Sequence, residues 1–190
     1  MINTVDKTMN KRLFFALDLP DTVQQNIVQW RAAHFPPDAG RPIAAANLHL
    51  TLAFLGEVSQ AKAQILQQQA GRISQSGFHV TLDDMGHWPN SGVIWLGCKN
   101  PARGLLQLAQ LLRSQAARSG CYQTPLPFHP HVTLFRAAIR PVAIPAKTTS
   151  ESFRVDHFSL YESVFARGRT RYNIVQSWPL TSTHRTSDAI

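Results

Sequence analysis

The alternation of apolar and polar positions predicts strands and helices interleaved along the whole chain. Arg12 to Leu19 (RLFFALDL) is a compact apolar run closed by Pro20, as expected of a buried strand. From Asp21 to His34 the period changes: Val23, Ile27 and Trp30 fall at helical spacing, and Pro36-Pro37 stops the helix. Leu48 to Leu55 predicts a second strand. Ser59 is placed to cap a second helix running to about Ile73, with Ile65, Leu66 and Ile73 on its apolar side. Phe78 to Met85 and Gly92 to Cys98 predict paired strands joined by a turn at Pro89-Asn90-Ser91. Pro101 opens a third helix with Leu105, Leu108, Leu112 and Ala116 on one face, and Gly120 ends it. Beyond a connector punctuated by Pro125, Pro127 and Pro130 come strands from His131 to Arg136, about Phe153 to Glu162, and Arg171 to Trp178. Residues 1–10 and 181–190 lack periodicity and are expected to be flexible tails on a single domain, residues 11–180. No glycine-rich phosphate loop follows any strand, so the class is mixed α and β without a nucleotide-binding doubly wound sheet.

One four-residue pattern recurs on these strands. His49-Leu50-Thr51-Leu52 returns 82 residues later as His131-Val132-Thr133-Leu134. Alternate side chains of a strand point to opposite faces. His49 and Thr51 therefore share one face while Leu50 and Leu52 pack behind it, and His131 and Thr133 repeat the arrangement. Each strand presents an imidazole beside a hydroxyl on a rigid apolar backing, as a precisely held site requires. Taken singly, either histidine would read as an ordinary core or surface residue; the repetition on apolar-backed strands is what singles out the pair.

Two such strands facing across a cleft suit phosphoryl transfer. Opening a cyclic phosphodiester in line needs a base on the attacking water and an acid on the departing oxygen, at opposite sides of phosphorus. Imidazole serves both roles because its ordinary pKa near 6.5 keeps both protonation states available. The threonine hydroxyls can donate to the non-bridging oxygens, where charge accumulates. The arrangement requires no metal ion and no cofactor.

Composition sharpens the picture only in part. Nineteen basic against eleven acidic residues give a formal charge of +8, which favours an anionic partner. Two cysteines, Cys98 and Cys121, are too few for a disulfide framework and lack metal-site spacing; both are expected to be buried free thiols. The apolar run Leu13 to Leu17 is too short for a signal-peptide core, and no stretch approaches the roughly 18 apolar residues of a membrane span, so a cytoplasmic protein is expected.

At the paired His-x-Thr-x motifs the chain resembles the two-histidine (2H) phosphoesterase superfamily, and within it the bacterial RNA 2',3'-cyclic phosphodiesterases, also called 2'-5' RNA ligases. RLFFALDLP (12–20), NLHLTLAFLGEV (47–58), PFHPHVTLFRA (127–137) and FARGRTRY (165–172) carry the resemblance. It implies a bilobal α+β fold in which two antiparallel sheets line a central cleft, helices lie outside, and each lobe supplies one motif. It implies His49 as proton donor to the leaving 3' oxygen and His131 as the base that activates water, giving an RNA ending in a 2'-phosphate. It also implies reversible 2'-5' ligation at the same site. RNA with 2',3'-cyclic phosphate ends, tRNA fragments among them, would be the partner of a monomeric enzyme. The competing class is an RNA-end binding protein without catalysis, which has no need of two histidines each paired with a threonine.

Other residues fill out the expected site. Thr51 and Thr133 are candidates for holding the phosphate, and Arg136 and Arg169, with Arg167 and Arg171, for contacting it, since guanidinium forks match phosphate oxygens. Tyr172 is a candidate for stacking a terminal base. Phe54 could do the same, but it lies three residues after Thr51 and so is expected to face the core. His129-Pro130-His131 could be a metal pair by spacing; Pro130 and the lack of a carboxylate or cysteine cluster argue against it, leaving His129 to orient the loop or face solvent. His157 is weighed as a residue approaching the cleft. His34, His79, His87 and His184 are set aside as carrying no pattern.

Overall fold

The computed structural model describes residues 10–181; all but Asn10 and Thr181 of the two expected tails, and with them His184, lie outside the described residues. In chain order the elements are strand β1 (Lys11–Asp18), helix α1 (Asp21–His34), the short strand β2 (Arg41–Pro42), a single 3-10 turn (Ala45–Asn47), strand β3 (His49–Val58) and helix α2 (Gln60–Gly71). There follow strands β4 (Phe78–Leu82), β5 (Asp84–Trp88) and β6 (Val93–Gly97), helix α3 (Arg103–Arg118), and strands β7 (His131–Arg136), β8 (Glu151–Val155), β9 (His157–Ala166) and β10 (Arg169–Pro179).

All strand pairings are antiparallel. The order β10-β9-β1-β3-β7-β6-β5, with β2 on β7, makes an eight-stranded sheet, and β4 with β8 makes a separate two-stranded one. The large sheet is two halves that meet almost at a point, since β3 and β7 share one registered pair, Leu50 with Val132. The two lobes expected to flank a cleft are these halves, one ending in β3 and the other in β7. Behind the junction Leu50, Val132 and Leu134 are fully buried and Leu52 nearly so, against Ile27 of α1, Leu66 of α2 and Leu105, Leu108 and Leu112 of α3. Each such side chain contributes about 1.5–3 kcal/mol on burial, so both motif strands are anchored from behind.

Local signals account for several boundaries. Ser59 caps α2 through its hydroxyl, which accepts from Lys62 N–H at 3.2 Å, and Gly120 ends α3 at φ +84°. α2 buries Leu66 and Ala70 while Ile65 stays half exposed, so its apolar side is narrower than expected. Two expected strands are each divided. The run 78–85 breaks at Asp83: Phe78–Leu82 pairs with β8, and only Asp84–Trp88 pairs with β6. The run 153–162 breaks at Asp156, giving β8 to the small sheet and β9 to the large one. Each half alternates in the normal way, so only the change of partner strand marks the break.

Arg31 of α1 is a buried cation. Its guanidinium donates to the Ile43 and Leu134 carbonyls at 2.8 and 3.0 Å and lies 5.4 Å from the Phe135 ring. It thereby ties the connector that leads into β3 to the strand carrying the second motif.

Candidate active site

About the Leu50–Val132 pair the two motifs are related by a local twofold: antiparallel register sets His49 toward Thr133 and Thr51 toward His131. Both imidazoles are held in the same way. His49 Nδ1–H donates to the Asn47 carbonyl at 2.7 Å, and His131 Nδ1–H to the His129 carbonyl at 2.7 Å. A carbonyl only accepts, so each Nδ1 carries the proton and each Nε2 is left as the reactive nitrogen. His49 Nε2 meets Thr51 Oγ1 at 3.0 Å; no such bond joins His131 to Thr133 among the described residues.

The two walls differ. Around His49 stand Phe14, with ring centres 5.0 Å apart, and Tyr172, edge-on at 4.9 Å. A cavity of about 600 Å³ opens there, bounded by Arg12, Arg41 and Arg136 as well as Phe54 and Tyr172. Around His131 stands a tryptophan wall. Trp88 meets the imidazole edge-on at 4.9 Å, Trp95 packs 5.1 Å from Trp88, and His129 fits against both indoles. Glycines give Trp95 its room: a Cβ at Gly86 would lie 2.4 Å from its ring and one at Gly97 2.9 Å.

Burial pushes the His49 pKa down to about 4, and Arg136 and His131 deepen the fall while the Asn47 carbonyl opposes it. Burial also lowers His131, again with Arg136 acting in the same direction and the His129 carbonyl against it. Arg136 thus bears on both imidazoles. The cleft lining lowers the pKa of both histidines beside a cation, an arrangement that an incoming anion would rebalance.

The large cleft-side residues are only partly those expected. Phe54 is 65% exposed, not in the core. β1 and β3 slip register between Phe15–Ala53 and Ala16–Thr51, so Leu52 is an extra residue and Phe54 emerges on the histidine face. Arg136 and Tyr172 line the cavity beside His49, and Arg169 lines an adjoining one of about 340 Å³; Arg167 and Arg171 line neither. Thr51 and Thr133 are both half-buried on the cleft face. His129 is exposed, and its carbonyl orients His131. His157 lies between Asp18 at 2.7 Å and Asp156 at 2.6 Å, and lines neither cavity. Among the described residues no group of three His, Cys, Asp or Glu could hold a metal ion. Cys121 is buried and Cys98 only half-buried; both are free.

The expectation that His79 carries no pattern is wrong. His79-Val80-Thr81-Leu82 is a third His-x-Thr-x, identical in sequence to the second. It lies on β4, where His79 is exposed and Thr81 Oγ1 is 3.1 Å from Ser152 Oγ. Its partner strand β8 has no second motif, so no imidazole faces it across a cleft. Cross-strand pairing, not the motif alone, selects His49 and His131.

A family model described as the 2'-5' RNA ligase superfamily matches residues 19–164, from the end of β1 to β9. The chain belongs to the 2'-5' RNA ligase superfamily. Within that superfamily it is 60% identical over 171 residues to the RNA 2',3'-cyclic phosphodiesterase of Escherichia coli K12, covering 90% of this chain and 97% of the relative. The crystal structure of E. coli LigT complexed with 3'-AMP superposes with a TM-score of 0.88 at 59% identity, over 91% of this chain and 99% of that one. The crystal structure of TT0787 of Thermus thermophilus gives 0.78 at 28% identity, over 91% and 100%. The α+β two-histidine phosphoesterase fold is therefore that of this superfamily member too.

Three features of this 2'-5' RNA ligase superfamily chain were missed in its sequence. The carbonyls of Asn47 and His129 could belong to any residue. Arg12 and Arg41 carry no motif and reach the cavity only through pairing with distant strands. The tryptophan wall could have been suspected from Gly86 and Gly97 around Trp88 and Trp95, the one signal available.

Proposed function

We propose that this protein hydrolyses RNA 2',3'-cyclic phosphate ends to 2'-phosphates, with His49 as acid and His131 as base. The carrying observation is the pair of imidazoles set about the Leu50–Val132 junction, each with Nδ1 fixed by the carbonyl two residues earlier. The relative from E. coli bears the same activity in its name, and its bound 3'-AMP is a nucleotide with the phosphate on the ribose.

The cavity supports the polarity. In-line attack puts water opposite the leaving 3' oxygen, so the ribose must lie on the side of the acid. The nucleotide-sized cavity opens beside His49 and not His131. His131 Nε2 accepts a proton as the water oxygen bonds to phosphorus. The bond from phosphorus to O3' breaks, and His49 Nε2–H gives its proton to that oxygen. The phosphate stays on O2', and solvent returns both histidines to their starting states. Arg136 balances the anion between them, and Thr51 and Thr133 donate to its non-bridging oxygens. Ligation at the same site would replace water by an RNA 5'-hydroxyl; hydrolysis dominates because water is abundant.

One chain supplies both histidines, so a monomer is sufficient. Free Cys98 and Cys121 suit the reducing cytoplasm, and tRNA fragments would present the required ends. Among the described residues no helix is long and apolar enough to cross a membrane. The test is an oligoribonucleotide ending in a 2',3'-cyclic phosphate, with the product read by phosphorus NMR. Only 2'-phosphate is expected; a 3'-phosphate product would exchange the two histidine roles, and an unchanged substrate would leave only end binding.

A further inference from the structure

We propose that the cleft takes two consecutive nucleotides of a single-stranded RNA end, the second held in the cavity between β2, the 3-10 turn and the β9–β10 hairpin. The proposal rests on the phosphodiesterase reading and names its substrate class: RNA of at least two nucleotides, unpaired at its 3' end.

The cleft beside His49 does not end where one nucleotide would. The cavity of about 600 Å³ that reaches His49 continues into a second of about 340 Å³ that does not. Both lie within the range of roughly 300–1,000 Å³ common to ligand sites. They share Arg41, Arg136, Phe165, Thr170 and Tyr172, and the second adds Asn47 and Arg169.

Charge points to the occupant. Arg12, Arg41, Arg136 and Arg169 line the two cavities and no carboxylate does. None of the four is in an ion pair among the described residues. Arg41 and Arg136 are moreover direct cross-strand partners, a like-charge pairing that costs stability unless an anion lies between them. They stand where the two cavities join. With Arg136 serving the cyclic phosphate between the histidines, Arg41 is left at that junction to meet the 5' phosphodiester of the terminal nucleotide.

Aromatic faces supply the rest. Phe165 is 74% exposed on the rim shared by both cavities, and Phe54 is 65% exposed on the first. Rings left in water beside arginines are what unpaired bases stack on, whatever their sequence. The second cavity is also built in advance. The hairpin turns tightly through Arg167 at φ +54° and Gly168 at φ +74°, which sets Phe165 beside Thr170. Asn47 Nδ2 then donates to the Thr170 carbonyl at 3.0 Å, fastening the hairpin to the residue whose own carbonyl orients His49.

The test compares kcat/KM for a 2',3'-cyclic mononucleotide, the dinucleotide ending in that same nucleotide, and the trinucleotide. The dinucleotide should be about tenfold better, the worth of one stacked base and one phosphate contact, and the trinucleotide should add little. Phe165→Ala and Arg169→Ala, both at exposed positions, should each lower the dinucleotide value about tenfold more than the mononucleotide value, with circular dichroism unchanged. Equal kcat/KM for mononucleotide and dinucleotide would overturn the second site, as would variants that weaken both substrates alike. A gain that climbs with every added nucleotide and vanishes in salt would overturn it too, by assigning the arginines to general charge attraction. Failure to turn over any of the three would overturn the hydrolytic reading itself, and is told apart by that silence.

Discussion

His49 and His131 share a motif, a backbone anchor and a local twofold, yet they face unlike walls. His49 looks onto arginines and an open cavity; His131 is set against Trp88, which Trp95 backs over two glycines. A symmetric pair of motifs thus sits in an asymmetric site. Under the proposed mechanism the difference teaches how two chemically identical side chains acquire different duties: one wall admits the nucleotide, and the other holds a base still while water attacks phosphorus from its side. Breaking either histidine gives the largest expected effect. His49→Ala and His131→Ala should each lower turnover by about 10²–10⁴-fold, the worth of a general acid or base, with the fold retained. The pH–rate profiles should then separate them. Loss of His131 should remove the acidic limb, where a base must be free, and loss of His49 the basic limb, where an acid must be charged. The reverse pattern would exchange the roles.

Both histidines are half-buried with pKa values below the ordinary one, and stability should show it. The His49 pKa lies near 4 in the fold and near 6.5 in the unfolded chain. Between those values the unfolded chain binds more protons. Stability is therefore full above about pH 6.5 and falls as pH drops toward 4, by on the order of 3 kcal/mol from this residue. Denaturant midpoints across that range should fall for the wild type and fall less for His49→Gln. Inorganic phosphate should raise both imidazole pKa values in an NMR titration, since an anion favours the charged form. Titration near the unfolded value in the empty protein would remove the basis for this prediction.

The walls can be tested against each other. Arg136→Ala should raise KM by about 10–100-fold with a smaller change in kcat, because a charge-assisted phosphate contact is lost. Gly86→Ala drives a Cβ into the Trp95 ring and should shift Trp88 and His131 with it. Its expected signature is the opposite: about tenfold in kcat with KM nearly unchanged, from a misplaced base. If both variants altered KM alone, the tryptophan wall would be part of the binding surface and not a rest for the base.

How far this asymmetry was legible in the sequence depends on the range of the interactions behind it. β1, β3, β7 and the three helices were readable because apolar periodicity is local, and the two histidines because a short motif repeats on such strands. Periodicity alone placed Phe54 in the core; the extra residue Leu52 turns it outward, and a bulge is visible only against the partner strand. The same limit split the run at Asp83 between two sheets. It also hid Arg41, which reaches the site by pairing with β7. His79 is the sharpest case, since its four residues repeat those at His131 and only the strand beside them differs.

The smallest expected difference lies between the two threonines. Thr51 Oγ1 is 3.0 Å from His49 Nε2, so its hydroxyl is engaged with that imidazole. Under the proposed mechanism His49 must be protonated, and Thr51 must turn its donor to the phosphate. Thr133 has no such engagement among the described residues, and its hydroxyl is free for a non-bridging oxygen from the start. Thr51→Val therefore loses one donor but also releases Nε2, while Thr133→Val loses a donor with nothing returned. Thr133→Val should cost about tenfold in kcat/KM, close to the worth of one hydrogen bond to a charged group, and Thr51→Val about threefold. Steady-state kinetics on one cyclic-phosphate substrate, with the double variant to close the cycle, reads both values and their coupling. The opposite order would mean that Thr51 already donates to phosphate in the bound state at no cost, and that the asymmetry of the walls does not extend to the hydroxyls.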